Sequence, residues 1–220
     1  MLILLPPSEG KSSPETGQLL KLAELSFSKE LGLIRAAQLS KALDVEKSRP
    51  AHEIYSGVLY QSLSWGTLPL AAKKRGVKSL IIISAQFGAL RFNDVIPHYK
   101  AKMKTSLWKE SLSTALSSLD SNLIVDCRSS TYVGVWTPDP DQTVVVRVFK
   151  VSGGKRTVIT HMSKKYRGEL VRYLLLESTA PSSPQELLRV AAKHFTCELT
   201  ESSGKNPWTL DLLISSNIAS

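Results

Sequence analysis

Cysteine is nearly missing from this 220-residue chain. Cys127 and Cys197 are far apart and lack C-x-x-C spacing, which excludes a disulfide framework and a zinc ribbon. The four histidines stand singly, so no metal motif forms around them, and neither a metal nor a cofactor is expected. No apolar run approaches the ~20 residues that cross a bilayer. The amino terminus is apolar from Met1, but Pro6-Pro7 ends that run after Leu5. It lacks the basic leader and the length of a signal peptide. The expectation is a first core strand, a cytoplasmic location and no membrane partner. Acidic side chains are also in deficit: 19 Asp and Glu face 28 Lys and Arg, for a net charge of +9.

What is present is an ordinary globular composition, 42% hydrophobic and 21% charged, enough for a core within one domain over residues 1–220. The positive excess is local. Between Arg147 and Arg172 stand Arg147, Lys150, Lys155, Arg156, Lys164, Lys165, Arg167 and Arg172, against the single acid Glu169. A second cluster is Lys100, Lys102, Lys104 and Lys109. Clustered positive charge attracts polyanions. The competing reading is a lysine-rich surface that serves solubility alone.

Apolar β-branched runs mark the strands. Met1–Leu5, Leu80–Ile83 and Leu123–Cys127 read as strands buried on both faces. Val144–Val151 and Thr157–Thr160 flank Ser152-Gly153-Gly154-Lys155, a hairpin signature. Phe195–Leu199 and Trp208–Ile214 form a second. Helices are expected over Lys29–Leu43 with Ser28 as cap, after Pro50, over Thr67–Arg75 closed by Gly76, over Ser106–Leu119, from Met162 to Glu177, and from the Ser183-Pro184-Gln185-Glu186 start to His194. Lys164, Lys165 and Arg167 fall in the first turns of one of these helices, against its dipole, which suits an anionic ligand. Gly168 inside it costs about 1 kcal/mol relative to Ala and signals close approach of another backbone or a ligand.

The strands deliver polar loops. After Leu80–Ile83 come Gln86, Gly88, Arg91, Asn93, Asp94, His98 and Tyr99; after Leu123–Cys127 come Arg128, Ser129, Ser130, Thr131 and Tyr132. Ligands of open α/β sheets bind beyond the carboxyl ends of strands, so these loops are the place to look for a site. Gly10-Lys11-Ser12 has the ending of a phosphate-binding loop, but the required earlier glycine is Leu5, which excludes a P-loop ATPase. Lys11 and Ser12 beside the backbone of Gly10 remain a phosphate-binding candidate.

The stretches MLILLPPSEGK (1–11), IYSGVLYQSL (54–63), ISAQFGALRFNDVIPHYKAKM (83–103), LIVDCRSSTY (123–132) and SKKYRG (163–168) occur in an order that resembles the YaaA family of peroxide-stress proteins, in its actinobacterial form. The resemblance implies an α/β protein with a mixed central sheet, flanking helices and β-hairpins around a basic cleft. It implies DNA binding without strong sequence preference, and protection from hydrogen peroxide by limiting free iron and DNA damage. Carried over by position, the cleft residues are Ser8, Lys11, Arg91, Asp94, Tyr99, Tyr132, Lys164, Lys165, Arg167 and Gly168, with Lys100 standing where the family usually has Arg. The family's helix-hairpin-helix has no Gly-bearing counterpart in this sequence.

Two functions follow. In the first, the lysine and arginine clusters bind DNA phosphates, while Tyr55, Tyr60, Tyr132 and Trp136 stack on bases. In the second, the chain is an enzyme for a small anionic or nucleotide-like substrate. Lys11, Arg91 and Lys165 then hold the anion, Asp94 is a general base and Tyr99 a proton donor.

Overall fold

The first strand, LILL, is buried along its whole length, and its neighbours explain why. The computed structural model describes residues 1–159 and 162–215. In chain order its strands and helices are β1 (Leu2–Leu5), β2 (Gln18–Leu19), α1 (Ser28–Gln38), α2 (Lys41–Asp44), β3 (Lys47–Pro50), α3 (Ala51–Ile54), α4 (Val58–Leu63), α5 (Leu70–Ser79) and β4 (Leu80–Ser84). There follow β5 (Gly88–Arg91), β6 (Val95–Pro97), α6 (Thr105–Ser117), β7 (Ile124–Asp126), α7 (Ser130–Val133), β8 (Thr143–Ser152), β9 (Lys155–Val158), α8 (Ser163–Leu176), α9 (Pro184–Ala192), β10 (Thr196–Thr200) and β11 (Trp208–Ser215).

Among the described residues the main sheet has eight strands in the order β10-β11-β8-β7-β1-β4-β5, with β9 paired to β8. β1 runs parallel to both β4 and β7. The β7–β8 and β8–β11 pairs are also parallel, whereas β4–β5, β8–β9 and β10–β11 are antiparallel. The fold is therefore α/β on a mixed central sheet. A small antiparallel sheet, β2-β3-β6, stands beside it.

Side chains alternate across a strand, and the core divides accordingly. Ile3, Leu5, Ile82 and Val125 point into one cluster, completed by Leu59 and Leu63 of α4, Ala72 of α5, Leu170, Val171 and Leu174 of α8, and Leu187 of α9. Leu2, Leu4, Ile81 and Ile83 point the other way, onto Leu31 of α1 and Trp108 and Leu112 of α6. Strands covered on both faces need apolar residues at every position, which the two runs supply.

Arginines close the ends of elements. The Arg172 guanidinium donates to the carbonyls of Leu63 and Ser64, the orphan acceptors at the end of α4. Arg75 does the same for Leu175 at the end of α8. Arg35 of α1 is buried and donates to the carbonyls of Phe87 and Ala89 along the edge strand β5. An open sheet edge invites pairing with another chain, and this side chain covers it.

Several boundaries differ from the sequence expectation. Ser28 is the first helical residue rather than the cap; Phe27 takes that place in the left-handed region (φ 61°), and the helix breaks at Leu39 instead of reaching Leu43. Gly76 does not end α5. It lies within the helix, where a β-carbon would come 2.5 Å from the Trp65 ring. The stretch after β4 is not a free loop: β5 folds back along β4. The Gly153-Gly154 hairpin is present, both glycines at positive φ; Thr160, expected at its end, lies outside the described residues. Ser183 caps α9 by accepting from the Glu186 N–H, as expected.

Candidate functional site

β1 lies between β4 and β7. From β1 the chain moves to β4 on one side, and after β5 it crosses to β7 on the other. This reversal of strand order is where open α/β sheets place ligands, outside the carboxyl ends of the strands. Three segments arrive there: residues 6–12 after β1, 84–86 after β4 and 127–132 after β7.

The centre is a hydroxyl cluster. Tyr99 and Tyr55 are each 2% exposed, and their hydroxyls lie 2.7 Å apart; the Tyr99 hydroxyl is 2.8 Å from Ser84 Oγ. Ser84 Oγ also accepts from the backbone N–H groups of Gln86 and Phe87, which anchors the three hydroxyls to the turn after β4. Burial pushes both phenols well above their ordinary pKa, so both stay protonated and act as donors. Tyr60, also buried, donates to the carbonyl of Pro6 at 2.7 Å and fixes the loop after β1 to α4.

Lys11 lies over this cluster. Its Nζ stands 4.5 Å from the Tyr99 ring centroid and 5.9 Å from that of Tyr55, a cation–π position. Its backbone forms a bridge with Tyr55. Among the described residues Lys11 has neither ion pair nor hydrogen bond from its side chain. Burial lowers its pKa, and Glu9 opposes that in part. Gly57 permits the approach: a β-carbon there would lie 2.1 Å from Ser8 Oγ. Tyr132 is half-buried; burial, and after it the charge of Glu9, raises its phenol.

The rim of this edge is basic. Trp108 of α6 donates to the carbonyl of Ala85 just beyond β4, which places the start of α6, and the exposed Lys100, Lys102 and Lys104 before it, beside the cluster. These lysines have no ion pair among the described residues. The start of α8 arrives from the other side, since Arg167 donates to the carbonyls of Val146 and Arg128 at 2.9 and 3.2 Å. Lys164 there is exposed, whereas Lys165 pairs with Glu169 at 3.8 Å.

Ser8, Lys11, Tyr99, Lys100, Tyr132, Lys164, Lys165 and Arg167 thus come to one edge. Arg91 and Asp94 do not join them. In the antiparallel β4–β5 register Arg91 opposes Ile81, near the amino end of β4, and its guanidinium donates to the carbonyl of Lys78. The Asp94 carboxylate accepts from the Ser26 N–H, the Ser26 hydroxyl and the Arg91 N–H; it shapes a turn. Arginines expected to present charge are also consumed: Arg167 and Arg172 by carbonyls, Arg147 by Asp211 at 2.6 Å, and Arg156 by Glu198 at 2.6 Å. Arg128 is buried in a forked pair with Asp126 and also donates to the carbonyls of Tyr132 and Trp136. Tyr55, Tyr60 and Trp136, expected to stack on bases, are buried.

Sequence reasoning did not single out Ser84 as the anchor of the hydroxyl chain. Its position as the last residue of a buried apolar strand was the available signal. Among the described residues no group of three or more His, Cys, Asp or Glu side chains is placed to hold a metal ion, and no helix is long and apolar enough to cross a membrane.

Comparison with known proteins places the chain among similar sequences. A UPF0246 protein of Streptomyces coelicolor is 34% identical, covering 97% of this chain and 98% of its own. A UPF0246 protein of Corynebacterium glutamicum is 33% identical over 87% of this chain and 91% of its own. An uncharacterized protein of Campylobacter jejuni is 30% identical over 70% of this chain and 66% of its own. The family model described as peroxide stress protein YaaA matches residues 12–200, and the chain belongs to that family.

Proposed function

We propose that this peroxide-stress protein binds DNA along the carboxyl edge of its central sheet. The observation that carries this reading is the contrast between the two kinds of cation. The arginines of the 147–172 stretch are tied to carbonyls and carboxylates, whereas Lys100, Lys102, Lys104 and Lys164 are exposed and, among the described residues, unpaired around one edge. Free ammonium groups on flexible stems neutralise phosphates and release counterions without reading sequence. The binding is therefore electrostatic and steeply salt-dependent. Fluorescence anisotropy on a labelled duplex across a salt series is the test. Reversing Lys100, Lys102 and Lys104 to Glu lowers affinity sharply and flattens the salt slope by about 1 for each phosphate that a lysine no longer neutralises. Unchanged affinity in that variant would refute the reading.

A second reading, an enzyme acting on a small anionic or nucleotide-like substrate, is favoured by Lys11 over the hydroxyl cluster. Its residues would be Lys11, Ser8 and the Tyr55 hydroxyl, without Arg91 or Asp94. Saturable binding of a nucleotide by Lys11-intact but not Lys11→Ala protein supports it.

A further inference from the structure

Lys11 is recessed where the other lysines of the basic edge are displayed. Its side chain is half-buried, lies across the faces of Tyr99 and Tyr55, and is held by no carboxylate or carbonyl among the described residues. A phosphate-binding lysine gains from exposure, whereas this one loses it. Desolvated amines that form no ion pair are the ones that form Schiff bases with carbonyl carbons.

Resting on the DNA-binding reading above, we propose that Lys11 is the imine-forming amine of a lyase activity toward abasic sites in DNA. Peroxide damage to DNA leaves sugars without bases, and their ring-opened form carries an aldehyde at C1′. Such a sugar has lost its stacking partner, so it is the nucleotide least costly to extrude from a duplex, and without a base it is narrow enough to reach a recessed side chain. The exposed lysines on the rim hold the flanking phosphates.

The step balances without any added oxidant or reductant. The neutral Lys11 nitrogen adds to C1′, the carbonyl oxygen leaves as water, and a protonated imine forms. The acidified proton on C2′ passes to a carboxylate; Glu9, whose charge acts on both Lys11 and Tyr132, is the carboxylate of this neighbourhood. The C3′–O bond breaks and the 3′ phosphate departs with its electron pair. Water then hydrolyses the unsaturated imine and returns the amine. The buried phenols stay protonated, so neither adds a negative charge beside Lys11, and the charge of Glu9 only partly offsets the burial that disfavours the ammonium form.

The test is borohydride trapping on a duplex containing one abasic site. Wild-type protein is expected to give a covalent adduct that survives denaturation and maps by mass spectrometry to Lys11. Lys11→Arg fills the same place without a primary amine and gives no adduct. An adduct undiminished in Lys11→Arg overturns the proposal, as does its absence from wild-type protein. Anisotropy on intact duplex, measured alongside, separates the two failures. Binding without trapping removes only the Lys11 assignment, whereas loss of both removes the DNA reading as well.

Discussion

A β-carbon placed on Gly168 would lie 2.2 Å from the carbonyl oxygen of Leu59. The two helices α4 and α8 therefore touch through backbone, and the glycine in the middle of α8 is there for that approach. In an open helix Gly168→Ala would stabilise by about 1 kcal/mol. Here overpacking against rigid backbone costs about 1–3 kcal/mol and decides the sign. Urea unfolding of Gly168→Ala is expected to show a lower midpoint with an unchanged slope. Because α4 carries Tyr60 and α8 carries Lys164, the same variant also loosens the proposed DNA edge.

Tyr99→Phe removes the middle of the hydroxyl chain and leaves the ring in place. The Ser84 and Tyr55 hydroxyls then each lose their hydrogen-bond partner in a buried setting. Leaving such groups unmet costs about 1–3 kcal/mol. Thermal unfolding is expected to report that loss while far-ultraviolet circular dichroism stays unchanged. The Phe ring still offers Lys11 a face, so affinity for intact duplex stays within about twofold. A larger fall would mean that the phenol itself touches the ligand.

Asp94→Asn separates turn structure from function. The carboxylate accepts three hydrogen bonds, from the Ser26 N–H, the Ser26 hydroxyl and the Arg91 N–H. An amide has a single acceptor oxygen, so at least one N–H loses its partner, at about 1–3 kcal/mol. The turn stands near the amino end of β4, away from the basic edge. Stability is expected to fall while DNA affinity and peroxide protection of cells are retained. Protection lost from a variant that is still folded at growth temperature would restore Asp94 to a chemical role.

How much of this was legible in the sequence depended on the range of the interactions involved. The strands could be read because a strand buried on both faces must be apolar at each position, as in Leu80-Ile81-Ile82-Ile83. The α9 start could be read because Ser183, Pro184 and Glu186 settle it within one turn. Ser8 and Tyr132 could be placed near one another because each follows a parallel strand of the main sheet, β1 or β7; Tyr99, which follows β6 of the small sheet, could not. What local pattern did not contain was the antiparallel return of β5. Arg91 follows β4 closely in sequence, so it reads as a carboxyl-end residue, yet the hairpin carries it back toward the amino end. Nor can sequence show which cations are spent. Arg167 and Lys164 look alike as charges, but the planar fork of one reaches two carbonyls while the other extends into solvent. Gly168 shows the converse case: its misfit in a helix signalled a close approach, and the partner, Leu59, lies more than a hundred positions away.

Cys127 stands beside the site of a peroxide-stress protein, yet peroxide has no thiolate to attack there. Burial pushes its thiol up to about 12, with the nearby Arg167 opposing and Asp126 adding to the shift. Peroxide attacks thiolate rather than thiol, so this residue is not a sensor. Mass spectrometry after treatment of the native protein with hydrogen peroxide is expected to find Cys127 unmodified, and Cys127→Ala is expected to keep peroxide protection. The same shift has a stability consequence with a definite sign. The folded thiol keeps its proton where the unfolded one, near 9, loses it. The folded state then binds more protons, and stability falls as pH rises above about 9. Cys127→Ala is expected to flatten that alkaline slope in a pH series of unfolding midpoints. A sulfenic or sulfinic acid on Cys127 in protein that has stayed folded would contradict the burial on which this prediction rests.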